Sequence, residues 1–166
     1  IHLARGVDLK FFDSYKMDSS VNVPGYKSIN PHVSWDGKVL FFSSNRPGGL
    51  GGMDIWMVGI DENGNTTSEP KNLGAPVNSK SDEVTPFFHE PTSTLFFASD
   101  GHKSLGGLDL FKSNYDKDVD MYAGPVNLGE PINSAQDDAY LIWDEFLRKG
   151  FFSSDREPCD NGHCYN

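Results

Sequence analysis

The sequence predicts an all-β fold built from repeated antiparallel sheets. The 166 residues include 17 glycines, 10 prolines and 12 phenylalanines, a composition typical of short strands joined by tight turns. Amphipathic helices are not predicted, because apolar residues at helical spacing are scarce along the whole chain. Three separate motifs also recur at one fixed interval, and such regular recurrence indicates a repeat architecture.

The interval between the copies is 55 residues, and no insertion interrupts it. A Phe-Phe-Ser-Ser type motif, a Gly-Gly-x-Asp motif and a Leu-Gly-x-Pro-x-Asn motif share this period. The copies are Phe41–Ser44, Phe96–Ser99 and Phe151–Ser154 for the first motif, Gly51–Asp54 and Gly106–Asp109 for the second, and Leu73–Asn78 and Leu128–Asn133 for the third.

One repeat is predicted to contain four strands. They cover residues 30–35, 38–44, 53–60 and about 66–73, with a two-residue hairpin turn at Asp36-Gly37. The consecutive apolar residues of the second strand indicate burial on both faces. Four antiparallel strands per repeat, stacked by radial repetition, are typical of the blades of a β-propeller.

The repeat register divides the chain into parts of one propeller domain. We expect the end of a preceding blade at 1–25, whole blades at 26–80 and 81–135, and the first strands of a further blade at 136–166. Closed propellers typically have about four to eight blades. The chain is therefore expected to be an incomplete part of a larger propeller, completed by further blades of a parent chain or by another copy.

The Gly-rich stretch RPGGLGG at Arg46–Gly52 is interpreted as a structural turn. A phosphate-binding loop would need a lysine and a following helix, whereas the Gly pair here recurs before an aspartate and a strand. We expect the glycines to supply positive φ where the third strand begins. The aspartates are expected to brace the turn by accepting hydrogen bonds from backbone amides. The structural-turn residues are Gly51, Gly52, Asp54, Gly106, Gly107 and Asp109.

The formal charge of −10 (14 basic and 24 acidic residues) argues against nucleic acid and anionic lipid as partners. No apolar run approaches the roughly 18 residues of a membrane helix, so no direct membrane span is expected. The chain opens with IHLARGVD, which lacks an initiator methionine and a signal-peptide pattern. We expect that a targeting segment has been removed or that the chain is a fragment.

Charged residues in the connections are the candidate partner-binding groups. Blade connectivity predicts one shared rim for two arginines and two acidic pairs, namely Arg46, Arg156, Asp82, Glu83, Asp137 and Asp138. Paired carboxylates also suit a bound cation or acid/base chemistry. The alternative is that they are solvated turn residues or caps for loop amides.

Two turns have oxygen-bearing side chains at alternate positions, as at the start of a Ca²⁺ loop. Neither continues with the glycine and glutamate that an EF-hand loop requires, and hairpin turns favour the same residues for conformational reasons. The weak calcium candidates are Asp61, Asn63, Asn65, Asp116, Asp118 and Asp120. No other metal or cofactor is predicted.

Cys159 and Cys164 lie five residues apart in EPCDNGHCYN. They can form a local disulfide, which would indicate an oxidising compartment. Free thiols are the second interpretation. A metal half-site with His163 is the third, although no other cysteine completes it.

The motifs resemble a known family. The stretch PHVSWDGKVLFFSSNR at Pro31–Arg46, followed by GGMDIW, resembles the WD-like repeat of TolB-type β-propellers. With the intervening NLGAPVNSKSDE at Asn72–Glu83 it is most similar to the propeller segment of bacterial OmpA-family envelope proteins, some of which serve type IX secretion. The third copy departs from this pattern, since Cys164 stands where Asp54 and Asp109 stand. An OmpA-like domain is absent from these residues, so peptidoglycan binding is not carried over.

The resemblance implies a periplasmic or outer-membrane-associated protein whose partners are other envelope proteins. The leading hypothesis for its function is a non-catalytic protein-binding scaffold of an envelope assembly, of which a secretion apparatus is one example. No catalytic residue is assigned. An architectural spacer in an OmpA-like, peptidoglycan-linked protein is one alternative. A glycan- or peptide-active propeller enzyme is the other, although the five histidines share no repeat register and no G-x-S-x-G motif occurs.

Overall fold

The fold is all-β, which confirms the predicted class. A computed structural model describes residues 1–146 and 148–156, and Cys159 and Cys164 with their alternative interpretations lie outside them. Within these residues the regular structure is thirteen strands and one 3₁₀ turn at Glu90–Thr92. The strands are β1 (His2–Val7), β2 (Lys10–Lys16), β3 (Ser28–Val33), β4 (Val39–Ser44), β5 (Asp54–Gly59), β6 (Lys71–Asn72), β7 (Glu83–His89), β8 (Thr94–Ser99), β9 (Asp109–Asp116), β10 (Met121–Tyr122), β11 (Val126–Asn127), β12 (Asp138–Asp144) and β13 (Lys149–Ser154). No helix in the described part of the chain has the length and apolar character needed to cross a bilayer.

The strands form small antiparallel sheets in chain order. The order β3-β4-β5-β6 makes a four-stranded sheet, here called sheet 1. Strands β7, β8 and β9 form sheet 2, in which β10 and β11 both pair with β9. The hairpin β1-β2 precedes sheet 1, and the hairpin β12-β13 follows sheet 2.

Two details of the predicted repeat need correction. The fourth strand of sheet 1 is only Lys71–Asn72, because the preceding residues form a turn and a single bridge between Ile60 and Thr66. The reversal between β3 and β4 is also longer than the two-residue turn predicted at Asp36-Gly37. It is closed by the Ser34 amide, which donates to the Val39 carbonyl (2.8 Å).

The core lies between the sheets, in three separate layers. Phe42 and Leu40 of β4 pack toward the hairpin β1-β2, whereas Phe41 of the same strand packs toward sheet 2. Phe97 of β8 faces sheet 1, and Ala98 faces the hairpin β12-β13. The middle strands are therefore buried on both faces, which explains their continuous apolar sequence.

The first strands of successive sheets lie beside one another, since β7 contacts both β3 and β12. Each of these strands has an irregularity where the pairing register shifts. Asn30 (φ 52°), Thr85 (φ 52°) and Tyr140 (φ 60°) occupy equivalent positions within these irregularities. Left-handed backbone is unfavourable for threonine and tyrosine, so the recurrence identifies a bulge that belongs to the fold.

The paired glycines have a different role from the predicted one. None of Gly51, Gly52, Gly106 and Gly107 has positive φ. A Cβ atom on Gly51 would instead lie 2.5 Å from the Ser81 carbonyl oxygen and 2.7 Å from the Ser79 carbonyl oxygen. The connection before β5 thus lies directly against the backbone that leads into β7, and this close approach requires glycine.

Replacing Gly51 with alanine should lower the free energy of unfolding by about 1–3 kcal/mol, since backbone atoms must move to make room for the methyl group. Urea unfolding followed by tryptophan fluorescence measures the change. Gly124→Ala is the control, because a Cβ atom there meets nothing within 4 Å. We expect that variant to differ from the wild type by less than about 0.5 kcal/mol. Equal effects of the two substitutions would contradict the close-approach explanation.

Candidate functional site

Asp54 and Asp109 are buried at the start of the third strand of each sheet. The Asp54 carboxylate accepts hydrogen bonds from the backbone amides of Leu50 and Gly51 and from the side-chain amide of Asn72 (2.9 Å). Asp109 accepts the backbone amide of Leu105 (2.7 Å) in the same manner. Both carboxylates therefore hold the Gly-rich connections in place.

A buried asparagine network joins the end of each sheet to its third strand. The Asn78 side chain accepts the Ile55 amide (2.8 Å) and donates to the Ile55 carbonyl (3.0 Å) and to Asn72 (2.9 Å). Asn133 makes the equivalent bonds to Leu110, at 2.9 Å in both directions. The last asparagine of the repeated NLGxPxN motif thus satisfies both the amide and the carbonyl of one residue in the third strand, as a neighbouring strand would do.

Arg46 is 7% exposed and points into the protein. Its guanidinium donates to the carbonyls of Ser20 and Val21 and lies over the rings of Phe42 (4.7 Å) and Trp56 (5.1 Å). Burial lowers the pKa of this guanidinium from its usual value. The proposed contact with a partner requires an exposed side chain, so this position is better explained as a brace for the connection that precedes β3.

Arg156 occupies the equivalent place in the third copy and donates to the Pro131 carbonyl (2.9 Å) and to Asp138 (2.6 Å). Burial opposes ionisation of Asp138, but hydrogen bonds from Ser154, Arg156 and Ser134 lower its pKa overall. In the second copy Gly101 stands at the arginine position, and the next residue, His102, has its Nε2 2.8 Å from the Val77 carbonyl oxygen. The Arg156 side chain is 37% exposed, and Asp138 is fully buried.

Glu83 is also fully buried, and its carboxylate accepts hydrogen bonds from Ser79 (2.6 and 2.7 Å) and Ser99 (2.7 Å). Asp82 accepts the Met53 amide (2.7 Å), and Asp137 accepts the Leu108 amide (2.8 Å). The structure therefore brings the acidic pairs beside the Gly-rich connections. Glu83 and Asp138 are too deeply buried to contact a partner, whereas Asp82, Asp137 and Arg156 remain accessible.

The calcium candidates lie in or next to turns, and most of their hydrogen bonds stay within the same loop, whereas Asp120 also bonds to Lys71 of sheet 1. Asp61 accepts the backbone amides of Asn63 (2.9 Å) and Asn65 (2.8 Å), and the Asn65 bonds lower the pKa of Asp61. Asp116 accepts the amide of Asp118, and Asp120 bonds to Tyr115 and Lys71. Within the described residues no three His, Cys, Asp or Glu side chains converge as a metal site.

A concave surface lies where the ends of β3, β7 and β12 meet. This first-strand groove has a volume of about 370 Å³. It is lined by His32, Val33, Trp35, Phe87, Phe88, His89, Glu90, Pro91, Trp143, Asp144 and Glu145. A second cavity of about 370 Å³ shares His32 and Phe87 with it and continues along the same strands past Tyr140 and Ile142.

Contacts across the sheets shape the groove. The Trp35 backbone amide donates to Glu90 (2.5 Å), and His89 Nε2 contacts the Glu145 carboxylate. Trp35, Glu90 and Glu145 occupy the same repeat position, so each glutamate ties its own sheet to the preceding one.

His32 also takes part in the groove. It lies edge-on to Phe87, with ring centroids 4.9 Å apart, and its Nε2 is 3.2 Å from the Phe88 carbonyl oxygen. Burial lowers its pKa, although the Phe88 carbonyl and Glu90 act in the opposite direction. Burial against this aromatic wall therefore favours the neutral form of the histidine.

Two functional features are not predicted from the sequence. The asparagine pairs are visible as the repeated NLGxPxN, yet the motif does not reveal which backbone groups they satisfy. The groove is not recognised as a site from the sequence, because one shared repeat position holds Trp35 in the first copy and glutamate, Glu90 and Glu145, in the next two. Only the packing of adjacent first strands brings these residues together.

Comparison with known proteins found no matching family model, no matching curated protein and no matching solved structure.

Proposed function

We propose that this chain forms part of a β-propeller that serves as a non-catalytic, protein-binding scaffold. Sheets 1 and 2 are its blades, and β12-β13 begins the next one. The 55-residue repeat, the antiparallel strand order and the face-to-face packing of successive sheets support this architecture. Further blades close the ring.

The first-strand groove is the observation on which the binding role rests. Many of the buried polar groups, such as Asp54, Asn78 and Glu83, satisfy backbone amides and neighbouring hydroxyls and so maintain the fold. The groove instead presents Trp35, which is 74% exposed, and Trp143 beside carboxylates. Exposed aromatic side chains at the centre of a concave surface are typical anchors of protein interfaces.

The cellular setting follows from the repeat motifs, which resemble those of OmpA-family envelope proteins. On this basis the scaffold works in the periplasm or at the outer membrane of a bacterium, in an assembly with other envelope proteins, and a secretion apparatus is one such assembly.

Site-specific photocrosslinking in the intact native cell tests the proposal. A photoreactive phenylalanine derivative replaces Trp35 or Trp143 in the full-length protein. Glu62, which lies on an exposed turn and does not line the groove, provides the control position. We expect both groove positions to crosslink the same envelope protein and the control position to give no such product.

Two results would overturn the proposal. Products confined to the parent chain at all three positions would favour the architectural spacer. Cleavage of envelope glycans or peptides by the purified protein would favour the enzyme.

A further inference from the structure

The first-strand groove is acidic. Glu90, Asp144 and Glu145 line it, and no lysine or arginine is among its described lining residues. The whole chain has a formal charge of −10, so the surrounding field has the same sign. A groove walled by carboxylates in an acidic protein attracts cationic groups and disfavours anionic ones.

The groove also contains exposed aromatic faces suited to a cation. Trp35 is 74% exposed and Trp143 is 41% exposed, and both line the groove. Tryptophan has the strongest attraction for cations among the aromatic residues. Carboxylates and indole rings in one groove form a combination that recognises an ammonium or guanidinium group.

The two glutamates are positioned before a ligand arrives. Glu90 is held by the Trp35 amide through Oε1, and Glu145 is held by His89 through Oε1. Among the described residues no hydrogen bond occupies Oε2 of either side chain, so each retains an acceptor for a ligand. Such preorganisation reduces the entropic cost of binding.

The shape favours an extended peptide over a small cation. The groove continues into the second cavity along the first strands, where Tyr140 (59% exposed) and Ile142 (57% exposed) offer apolar contacts. We propose that the first-strand groove binds a lysine or arginine side chain within an extended segment of the partner protein. This inference rests on the proposed scaffold function and specifies the chemistry of its partner.

Fluorescence anisotropy with short labelled peptides tests the inference. The probes have one central arginine, lysine or neutral citrulline between apolar residues, and are otherwise identical. We expect saturable binding of the arginine and lysine peptides and at least about tenfold weaker binding of the citrulline peptide. Trp35→Ala and Glu145→Gln should each weaken the arginine complex by about tenfold.

Glu62→Gln is the matched control, because it removes one negative charge from an exposed turn that does not line the groove. We expect it to leave the affinity within about twofold of the wild-type value, since salt screens the interaction of an exposed charge that does not line the groove. If Glu62→Gln weakened peptide binding as much as Glu145→Gln does, the net charge of the protein would explain the affinity, and the inference would be overturned.

Equal affinity for the citrulline peptide, or displacement of the arginine peptide by tetramethylammonium at peptide concentration, would also overturn it. The test of the cationic ligand is distinct from the test of the scaffold function. Crosslinking from Trp35 to a partner that persists in Glu145→Gln would retain the scaffold and reject only the cationic ligand.

Discussion

Replacement of Asn78 by alanine is expected to lower the free energy of unfolding by about 2–4 kcal/mol. The side chain is 3% exposed and bonds to both the amide and the carbonyl of Ile55. Alanine leaves the Ile55 amide buried without a partner, which costs about 1–3 kcal/mol, and removes the net contribution of the other Asn78 bonds. The Ile55 carbonyl keeps the Leu73 amide as a donor (3.1 Å). Because domains are typically stable by only about 5–15 kcal/mol, we expect a large shift of the urea midpoint.

Asn63→Ala is the matched control, since Asn63 is exposed on the turn after β5 and its substitution leaves the backbone bonds intact. The control should remain within about 0.5 kcal/mol of the wild type. Asn133→Ala should reproduce the loss in sheet 2, where the equivalent bonds to Leu110 are formed. A change below about 1 kcal/mol in both buried variants would show that water replaces the lost bonds.

Replacement of Phe97 by alanine is expected to have a comparable effect, about 3–5 kcal/mol. The Phe97 ring is completely buried in the layer between sheets 1 and 2 and stacks on Phe111, with centroids 5.9 Å apart. Removal of the ring leaves a cavity that two rigid sheets cannot close by local relaxation. Guanidinium unfolding followed by circular dichroism measures the loss.

Phe146→Ala provides the comparison for Phe97, because Phe146 is 94% exposed. We expect a difference from the wild type of less than about 0.5 kcal/mol. Phe97→Leu fills most of the cavity and should recover part of the stability. If Phe97→Ala were no more harmful than Phe146→Ala, the layer between the sheets would not be a packed core.

Periodicity and local composition were sufficient to predict the fold class. The apolar run at 38–44 predicts a strand buried on both faces, and β4 occupies Val39–Ser44 with Phe41 and Phe42 in different core layers. Such a run is informative because side chains alternate between the two faces of a strand. The fourth strand was less predictable, since Lys71–Asn72 pairs for only two residues and has no apolar pattern.

The roles of individual residues depend on contacts that no local pattern contains. Gly51 lies in a Gly-rich stretch that is typical of a flexible turn. A side chain is excluded there, however, because the backbone at Ser79–Ser81 lies too close. From the sequence, Arg46 is predicted to be an exposed charge on the rim, but in the structure its guanidinium lies over the rings of Phe42 and Trp56. The groove is the extreme case, because Trp35 and Trp143 are separated by more than a hundred positions of sequence.

The staggered core has an evolutionary consequence. Phe41 and Phe42 are neighbours in sequence but serve different layers, so each layer combines one face of a repeat with the opposite face of the next. Duplication or deletion of one whole 55-residue repeat length therefore keeps the same kind of interface between neighbouring sheets, whichever residue the segment begins at. A family of such chains can vary in sheet number while each interface remains compatible. A residue such as Phe41 is therefore constrained mainly by the side chains of the neighbouring repeat against which it packs.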